Sequence, residues 1–198
     1  MYEVEVKVRA DHDAVRDALD DLNAEALGRV EQVDTYYDAP HRSFPDTDEA
    51  LRIRRERSPG DAEYDRDGET DRTQLTYKGP LVDDDTKTRR EIETAVESAD
   101  DADEILRALG FDASATVRKV RERYALTGAV ISLDTVEGLG EFVEVERESA
   151  ESAVDVTATR IRSLVADLGL DPDEGIRASY LELLLDADTS SVENSHDA

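Results

Sequence analysis

The first ten residues of the chain alternate between apolar and charged side chains. The two sets are Tyr2, Val4, Val6, Val8 and Glu3, Glu5, Lys7, Arg9. A period of two is typical of a β-strand with one buried face. The pattern therefore predicts a strand at the start of the chain, with its charged residues together on one face.

Shorter stretches of the same kind predict seven further strands, and apolar residues at helical spacing predict four helices. The strands are expected at residues 33–37, 51–56, 74–78, 88–95, 117–126, 130–136 and 141–147. The helices are expected at residues 13–26, 98–109, 154–168 and 178–185. Ser98 is a suitable N-cap for the second helix, and Gly110 a suitable C-terminal stop.

Turns connect many of the consecutive strands, which favours an antiparallel arrangement. We therefore predict an α+β fold, in which an eight-stranded antiparallel β-barrel is flanked by helices. A single domain is expected over residues 1–186, followed by a small, polar and disordered tail over 187–198. Residues 57–72 (RSPGDAEYDRDGETDR) are interpreted as an exposed acidic loop, and the alternative is a lid over a binding site.

The composition is strongly acidic, with 50 Asp and Glu against 24 Lys and Arg and a net charge of −26. A disordered acidic chain is rejected, because 38 % of the residues are hydrophobic and follow a periodic order. The acidic excess resembles that of soluble proteins from salt-in halophiles. It argues against nucleic acid and anionic membranes as partners, because no net basic surface is available.

Several classes of chemistry lack their usual residues. Cysteine is absent, which excludes disulfides and thiolate metal sites, and the sequence has no P-loop, HExxH or GxSxG motif. The histidines His12, His41 and His196 are scattered, and we interpret them as surface residues. Without a signal peptide at the N-terminus or an apolar run long enough to span a bilayer, the expected location is cytoplasmic.

Lysine is nearly absent and survives only as Lys7, Lys78, Lys87 and Lys119. Three of these lie in the strand-like segments EVEVKV, LTYKGP and VRKVRER, while arginine carries the positive charge elsewhere. A compact ammonium group at selected strand positions is suited to binding phosphate.

The polar faces of the predicted strands carry dense charge of both signs. If they point into the barrel, they form a tunnel in which basic groups bind phosphate and carboxylates bind Mg²⁺ or Mn²⁺. The alternative is that these charges form the solvated outer face of an acidic protein. For a single strand the solvated face is the simpler interpretation, but the three motif lysines in three separate strands favour the tunnel.

These segments resemble the CYTH superfamily of triphosphate tunnel metalloenzymes, in order and over nearly the whole chain. The matching motifs are EVEVK at 3–7, DTYYD at 34–38, LRIR at 51–54, LTYKGP at 75–80, RREIE at 89–93, VRKVRERY at 117–124, SLDTVEGLGEFVEVE at 132–146 and SYLELL at 179–184. The DTYYD and SYLELL motifs are most similar to the class IV adenylate cyclase-like branch.

The resemblance implies roles for particular residues. The metal ligands would be Glu3, Glu5, Asp134, Glu144 and Glu146. The groups that bind the triphosphate would be Lys7, Arg52, Arg54, Lys78, Lys119 and Arg121. The residues assigned to catalysis would be Lys7, Arg89 and Glu91, of which Arg89 and Glu91 match the central R-x-E strand of the family.

The resemblance also implies an activity, conversion of ATP to cyclic AMP and pyrophosphate with Mg²⁺ or Mn²⁺. The same charged clamp would serve a metal-dependent triphosphatase acting on inorganic or thiamine triphosphate. A third hypothesis is a non-catalytic module that binds polyphosphate or nucleotides. The carboxylates argue against it, because a pure anion binder gains nothing from them unless a metal bridges them to the ligand. The sequence leaves the oligomeric state open.

Overall fold

Eight antiparallel strands close into a barrel in the order β1-β5-β4-β3-β2-β6-β7-β8. The structure, a computed structural model, describes residues 2–58, 71–82 and 87–193. The strands are β1 Tyr2–Arg9, β2 Glu25–Asp38, β3 Ala50–Arg57, β4 Asp71–Leu81, β5 Lys87–Val96, β6 Asp112–Leu126, β7 Ala129–Val136 and β8 Gly140–Ser149. The helices are α1 His12–Asp21, α2 Ala99–Ala108, α3 Val154–Asp167 and α4 Tyr180–Glu193. The predicted α+β barrel with flanking helices is confirmed.

Apolar residues on the outer face of the barrel pack beneath the helices. Val4, Val6 and Val8 of β1 belong to one core cluster with α1 and α3, to which Leu19 and Ile161 contribute. A smaller cluster joins Ile53 of β3 to Leu106 of α2. Because successive side chains of a strand point to opposite faces, covering the apolar face in this way directs the charged face inward.

One end of the barrel is covered by the start of α4, and we call it the α4 end. Tyr180 packs there with Phe142, their ring centroids 5.0 Å apart, beside Tyr36, Val117 and Val136. The opposite opening, which we call the far end, lies towards Glu56 of β3 and Arg123 of β6, because β3 and β6 both run away from α4.

The helix termini follow local sequence rules. Ser98 caps α2 by accepting a hydrogen bond from the backbone nitrogen of Asp101 at 3.1 Å, as predicted. Gly110 follows this helix with a φ of +89°, a conformation that strongly favours glycine.

Three expectations need correction. The helix predicted over 13–26 ends at Asp21, and β2 begins at Glu25, where it pairs with Ala125 of β6. Residues 187–193, assigned to a disordered tail, continue α4. His12 is buried rather than on the surface, with its Nε2 atom 3.0 Å from the carbonyl oxygen of Phe142. Residues 59–70 of the acidic loop and 194–198 of the tail lie outside the described residues.

Among the helices in the described part of the chain, none combines the length and hydropathy needed to cross a bilayer.

Candidate functional site: a charged tunnel inside the barrel

The barrel encloses a cavity of about 620 Å³ that is lined by the charged strand faces. All of the site residues predicted from the sequence except Asp134 line this cavity. They are Glu3, Glu5, Lys7, Arg52, Arg54, Lys78, Arg89, Glu91, Lys119, Arg121, Glu144 and Glu146. The alternative that these charges form a solvated outer face is therefore wrong. In an enclosed space, charges interact more strongly than on a solvated surface.

The cavity has two chemically different walls. The adjacent strands β1 and β8 contribute mainly carboxylates, whereas β3 and β6, across the barrel, contribute Arg52, Arg54, Lys119 and Arg121. This separation follows from the strand order, in which β2 lies opposite β1 in the ring of eight. A ligand between the walls would meet cation-binding groups on one side and anion-binding groups on the other.

Glu3, Glu5 and Glu146 form a carboxylate cluster on the acidic wall. One oxygen from each lies within 4.8 Å of the others. Burial and the negative charge of Glu3 raise the pKa of Glu146 to about 8, with smaller contributions from Glu144 and Glu5 against the opposing effect of Arg121. Three converging carboxylates of this kind fit a hard divalent cation such as Mg²⁺ or Mn²⁺, which would offset their repulsion.

The other two carboxylates predicted as metal ligands lie apart from this cluster and contact basic residues. Asp134 is fully buried behind Arg121, which donates to its two oxygens at 2.7 and 2.5 Å. Glu144 accepts a short hydrogen bond from the same guanidinium and lies 3.2 Å from the Lys7 ammonium. The reason lies in the register, because Arg121 pairs with Asp134 and Lys7 pairs with Glu144 in neighbouring strands. Both carboxylates position basic groups in this structure.

Asp34 is a buried site residue that the sequence analysis did not identify as functional. Its carboxylate accepts two hydrogen bonds from Arg54, both at 2.6 Å, and a third from Arg52 at 3.4 Å. Burial opposes the charged form, but the two guanidinium groups hold the pKa of Asp34 well below its ordinary value. The available signal was its place in the DTYYD motif, on the same face of β2 as Tyr36.

The three motif lysines occupy different environments. The Lys7 ammonium lies 4.1 Å from the centre of the Tyr180 ring and donates to the carbonyl oxygen of Ala178 at 3.2 Å. Lys78 lies 2.8 Å from Glu3 and 2.9 Å from Glu91; burial opposes its charge, but these carboxylates raise its pKa.

Lys119 differs from Lys78 in the direction in which its pKa is shifted. Burial and the neighbouring Arg121 and Arg54 lower its pKa to about 8, although Asp134, 3.5 Å away, favours the charged form. An anion that enters the tunnel would relieve this repulsion, which suits Lys119 to phosphate binding.

Arg89 and Glu91, from the R-x-E segment, both reach the tunnel. Arg89 lies 3.5 Å from Asp48, whose other carboxylate oxygen accepts from the backbone nitrogen of Leu81 at 2.8 Å. Glu91 contacts Lys78 and lies 3.9 Å from Arg52. Arg89 therefore contacts the loop between β2 and β3 at the α4 end, and Glu91 contacts the basic residues Lys78 and Arg52.

Tyr180 closes the tunnel at the α4 end. Its hydroxyl donates to Asp134 at 2.9 Å, and its ring contacts the ammonium groups of both Lys7 and Lys119. Burial and the nearby Glu144 and Asp134 raise the pKa of its hydroxyl well above the ordinary value. The SYLELL segment carried the sequence signal for this residue, but no periodicity predicts that its aromatic ring enters a barrel.

Comparison with known proteins agrees with this architecture. The family model of the CYTH domain matches residues 1–180. The protein named "Putative adenylate cyclase MJ0240" from Methanocaldococcus jannaschii is 37% identical over 92% of this chain and 98% of its own length. The solved structure of PH1819 protein from Pyrococcus horikoshii has a TM-score of 0.82 at 37% identity, over 93% of this chain and 98% of that one. A Vibrio parahaemolyticus protein shares the fold, with a TM-score of 0.77 at 24% identity over 93% of this chain and 98% of that one.

Proposed function

The chain belongs to the CYTH domain family, and we propose that it is a metal-dependent adenylate cyclase that converts ATP to cyclic AMP and pyrophosphate. The observation that carries this proposal is the enclosed tunnel, in which a carboxylate cluster faces a wall of arginine and lysine. A triphosphate with a bound cation has the complementary distribution of charge. The 37% identity to the relative named "Putative adenylate cyclase MJ0240" supports the choice of reaction.

We assign the cation to Glu3, Glu5 and Glu146. When bound, Mg²⁺ or Mn²⁺ would supply Lewis-acid stabilisation of the reacting phosphate. Asp134 and Glu144 are not part of the carboxylate cluster and act as positioning residues, because each accepts a hydrogen bond from Arg121.

The basic residues bind and orient the triphosphate. Arg52, Arg54, Lys119 and Arg121 are buried and held in place by Asp34 and Asp134, so that little reorganisation is needed when phosphate oxygens enter. The Nε atoms of Arg52 and Arg89 are buried and make no hydrogen bond to the described residues, which leaves donors for a ligand.

In the cyclase reaction, the ribose 3′-oxygen forms a bond to the α-phosphorus while the bond from this phosphorus to the bridging oxygen of pyrophosphate breaks. The hydroxyl proton passes to solvent, and the departing pyrophosphate carries the negative charge. Preorganised cations at that position stabilise the transition state more than the ground state, which is the condition for acceleration. Arg89 and Lys78, with Glu91 beside them, are proposed to act there.

A triphosphatase that acts on inorganic or thiamine triphosphate is the second candidate. One specific observation favours it, since basic side chains from β1, β3, β4, β5 and β6 line one tunnel and could surround all three phosphates. Water would then attack a terminal phosphorus in place of the ribose oxygen.

One experiment separates these candidates. The purified protein is incubated with ATP, inorganic triphosphate and thiamine triphosphate in high KCl with Mg²⁺ or Mn²⁺, and the products are identified. Cyclic AMP with pyrophosphate supports the cyclase, and orthophosphate supports the triphosphatase. Binding without any product would leave a non-catalytic module and overturn the enzyme assignment.

A further inference from the structure

The two ends of the tunnel differ in chemistry along four neighbouring strands. Towards the α4 end, these strands carry mainly charged residues: Asp34 on β2, Arg54 on β3, Lys119 and Arg121 on β6, and Asp134 on β7. Two residues further along each strand, towards the far end, lies a different set, which we call the far-end strip. It consists of Gln32 on β2, Glu56 on β3, Arg123 on β6 and Ser132 on β7. Gln32, Glu56 and Arg123 line the cavity, but none of the four residues was predicted as a site residue.

Hydrogen bonds fix the orientation of this strip. The Gln32 amide nitrogen donates to one oxygen of Glu56 at 2.6 Å, and Arg123 donates to the other at 3.2 Å. Because a carboxylate accepts hydrogen bonds, the nitrogen of the amide must face Glu56 and the carbonyl oxygen must point elsewhere. Arg123 also balances the charge of Glu56.

Two buried acceptors in the strip lack a partner. Gln32 is 2 % exposed and Ser132 is fully buried, yet Gln32 Oε1 and Ser132 Oγ make no hydrogen bond with the described part of the chain. An unsatisfied buried polar atom costs about 1–3 kcal/mol, so a pair of them in one strip calls for an explanation. A bound molecule that donates hydrogen bonds would satisfy both, and one that also carries acceptors, as a nucleoside does, would satisfy the buried Nε of Arg123 in the same strip.

The strip is continuous with the phosphate-binding wall. Gln32 pairs across the strands with Lys119, and Ser132 pairs with Glu144. A ligand whose phosphates contact Lys119 and Arg121, and which extends towards the far end, has its next group beside Gln32 and Ser132. The half-buried side chain of Val130 lines the cavity beyond them and offers an apolar contact.

Resting on the proposed function, we infer that the far-end strip binds the nucleoside part of a nucleoside triphosphate. An oxygen-rich phosphate group has no donor for the carbonyl of Gln32. Ribose hydroxyls and the amino group of adenine are donors of the required kind. Inorganic triphosphate would leave the strip unsatisfied, so the strip selects organic triphosphates and fits the cyclase better than an inorganic triphosphatase.

The test compares the Kd of ATP with that of inorganic triphosphate by calorimetry in high KCl, with Ca²⁺ in place of Mg²⁺ and product formation monitored alongside. Gln32→Met should weaken ATP binding about ten-fold, and Ser132→Ala about three-fold, as expected for one lost hydrogen bond each. The Kd of inorganic triphosphate should change less than about two-fold, because the phosphate-binding residues are intact.

Thr135→Ala is the matched control, because it removes an exposed hydroxyl from the outer face of the same strand. It should leave both Kd values unchanged. If Gln32→Met fails to fold, Ser132→Ala still tests the inference. This variant should fold, because it removes a hydroxyl that makes no hydrogen bond in the described part of the chain.

Equal weakening of both ligands by Ser132→Ala, or no weakening of ATP by either variant, overturns the inference. Inosine triphosphate, 2′-deoxyATP and 3′-deoxyATP distinguish the base amino group from the two sugar hydroxyls as the donor; if all three bind the wild type as tightly as ATP, the inference is also overturned. The proposed function is tested separately by turnover of the wild type with Mg²⁺. If the variants weaken binding of ATP but not of inorganic triphosphate, and the wild type shows no turnover, the nucleoside site is upheld and the assignment as an enzyme is rejected.

Discussion

Asp34 holds Arg54 through two hydrogen bonds of 2.6 Å inside the barrel, and Arg52 contacts the same carboxylate at 3.4 Å. The two guanidinium groups have a buried counter-charge whether or not a ligand is present. The basic wall can therefore exist in a folded protein before phosphate arrives, which is the condition for a preorganised anion site.

Asp34→Asn should reduce stability by about 3–5 kcal/mol, because it leaves Arg54 buried without its counter-charge. The free energy of unfolding in guanidinium chloride, measured in high KCl, checks this. Glu31→Gln is the control, since Glu31 is exposed on the same strand. If Asp34→Asn were no less stable than Glu31→Gln, the pairing would not stabilise the barrel.

Glu146→Gln should abolish turnover and weaken Mg²⁺ binding at least ten-fold, because a neutral amide attracts a hard cation poorly. Glu5→Gln should do the same. Asp134→Asn should impair triphosphate binding while Mg²⁺ binding is retained, because Asp134 lies with Arg121 outside the carboxylate cluster. Calorimetric titration with Mg²⁺ alone distinguishes the two effects, with Glu137→Gln in an exposed turn as control. Strong loss of Mg²⁺ affinity in Asp134→Asn would return Asp134 to the set of metal ligands.

Without divalent cations, stability should fall between about pH 5 and pH 8 because of Glu146. Its folded-state pKa of about 8 lies above the unfolded value, so the folded state binds the extra proton and loses this advantage as pH rises through the window. Tm in EDTA across this range should decline more steeply for the wild type than for Glu146→Gln, and Mg²⁺ should reduce the decline. Parallel curves for the two proteins would contradict the assignment.

Lys7→Arg, Lys78→Arg and Lys119→Arg keep the charge but introduce a bulkier planar group. Lys7 is 1 % exposed and packs against Tyr180, so the barrel offers a guanidinium little room. We expect kcat/KM to fall about ten-fold or more for at least two of the three variants, about 1.4 kcal/mol each.

Lys87 is unsuitable as a control for the lysine series. It lies outside the family motifs, but its backbone pairs with Glu5 of β1. Arg118→Lys, at an exposed position beside Lys119, is the better control and should behave like the wild type. If Lys7→Arg, Lys78→Arg and Lys119→Arg have the same kcat/KM as Arg118→Lys, the presence of lysine at these three positions has no functional meaning.

Folding should depend on salt, because the net charge of −26 opposes a compact state until it is screened. Tm is expected to rise between dilute buffer and molar KCl, where the Debye length is about 3 Å. A sodium and potassium series at equal ionic strength would separate screening from specific cation binding. A Tm that stays constant over this range would show that self-repulsion is unimportant.

Sequence alone determined the strand faces and hence the composition of the tunnel. The alternation of Glu3, Glu5 and Lys7 with valines is a local property, and burial of the apolar face beneath helices leaves the charged face inside a closed barrel. The motif lysines could be identified in the same way, since their scarcity is visible in the composition.

Only the tertiary structure decided which charges meet. Glu146 joins Glu3 and Glu5 in the carboxylate cluster, whereas Asp134, predicted for the same set, pairs with Arg121. These pairs are set by strand register, which places Glu5 of β1 opposite Glu146 of β8 and Arg121 of β6 opposite Asp134 of β7. The paired residues are distant in sequence. The start of β2 at Glu25 was decided in the same way, by pairing with β6 against a local helical pattern. Periodicity assigns a residue to a face, but it carries no information about which residue of a distant strand lies opposite.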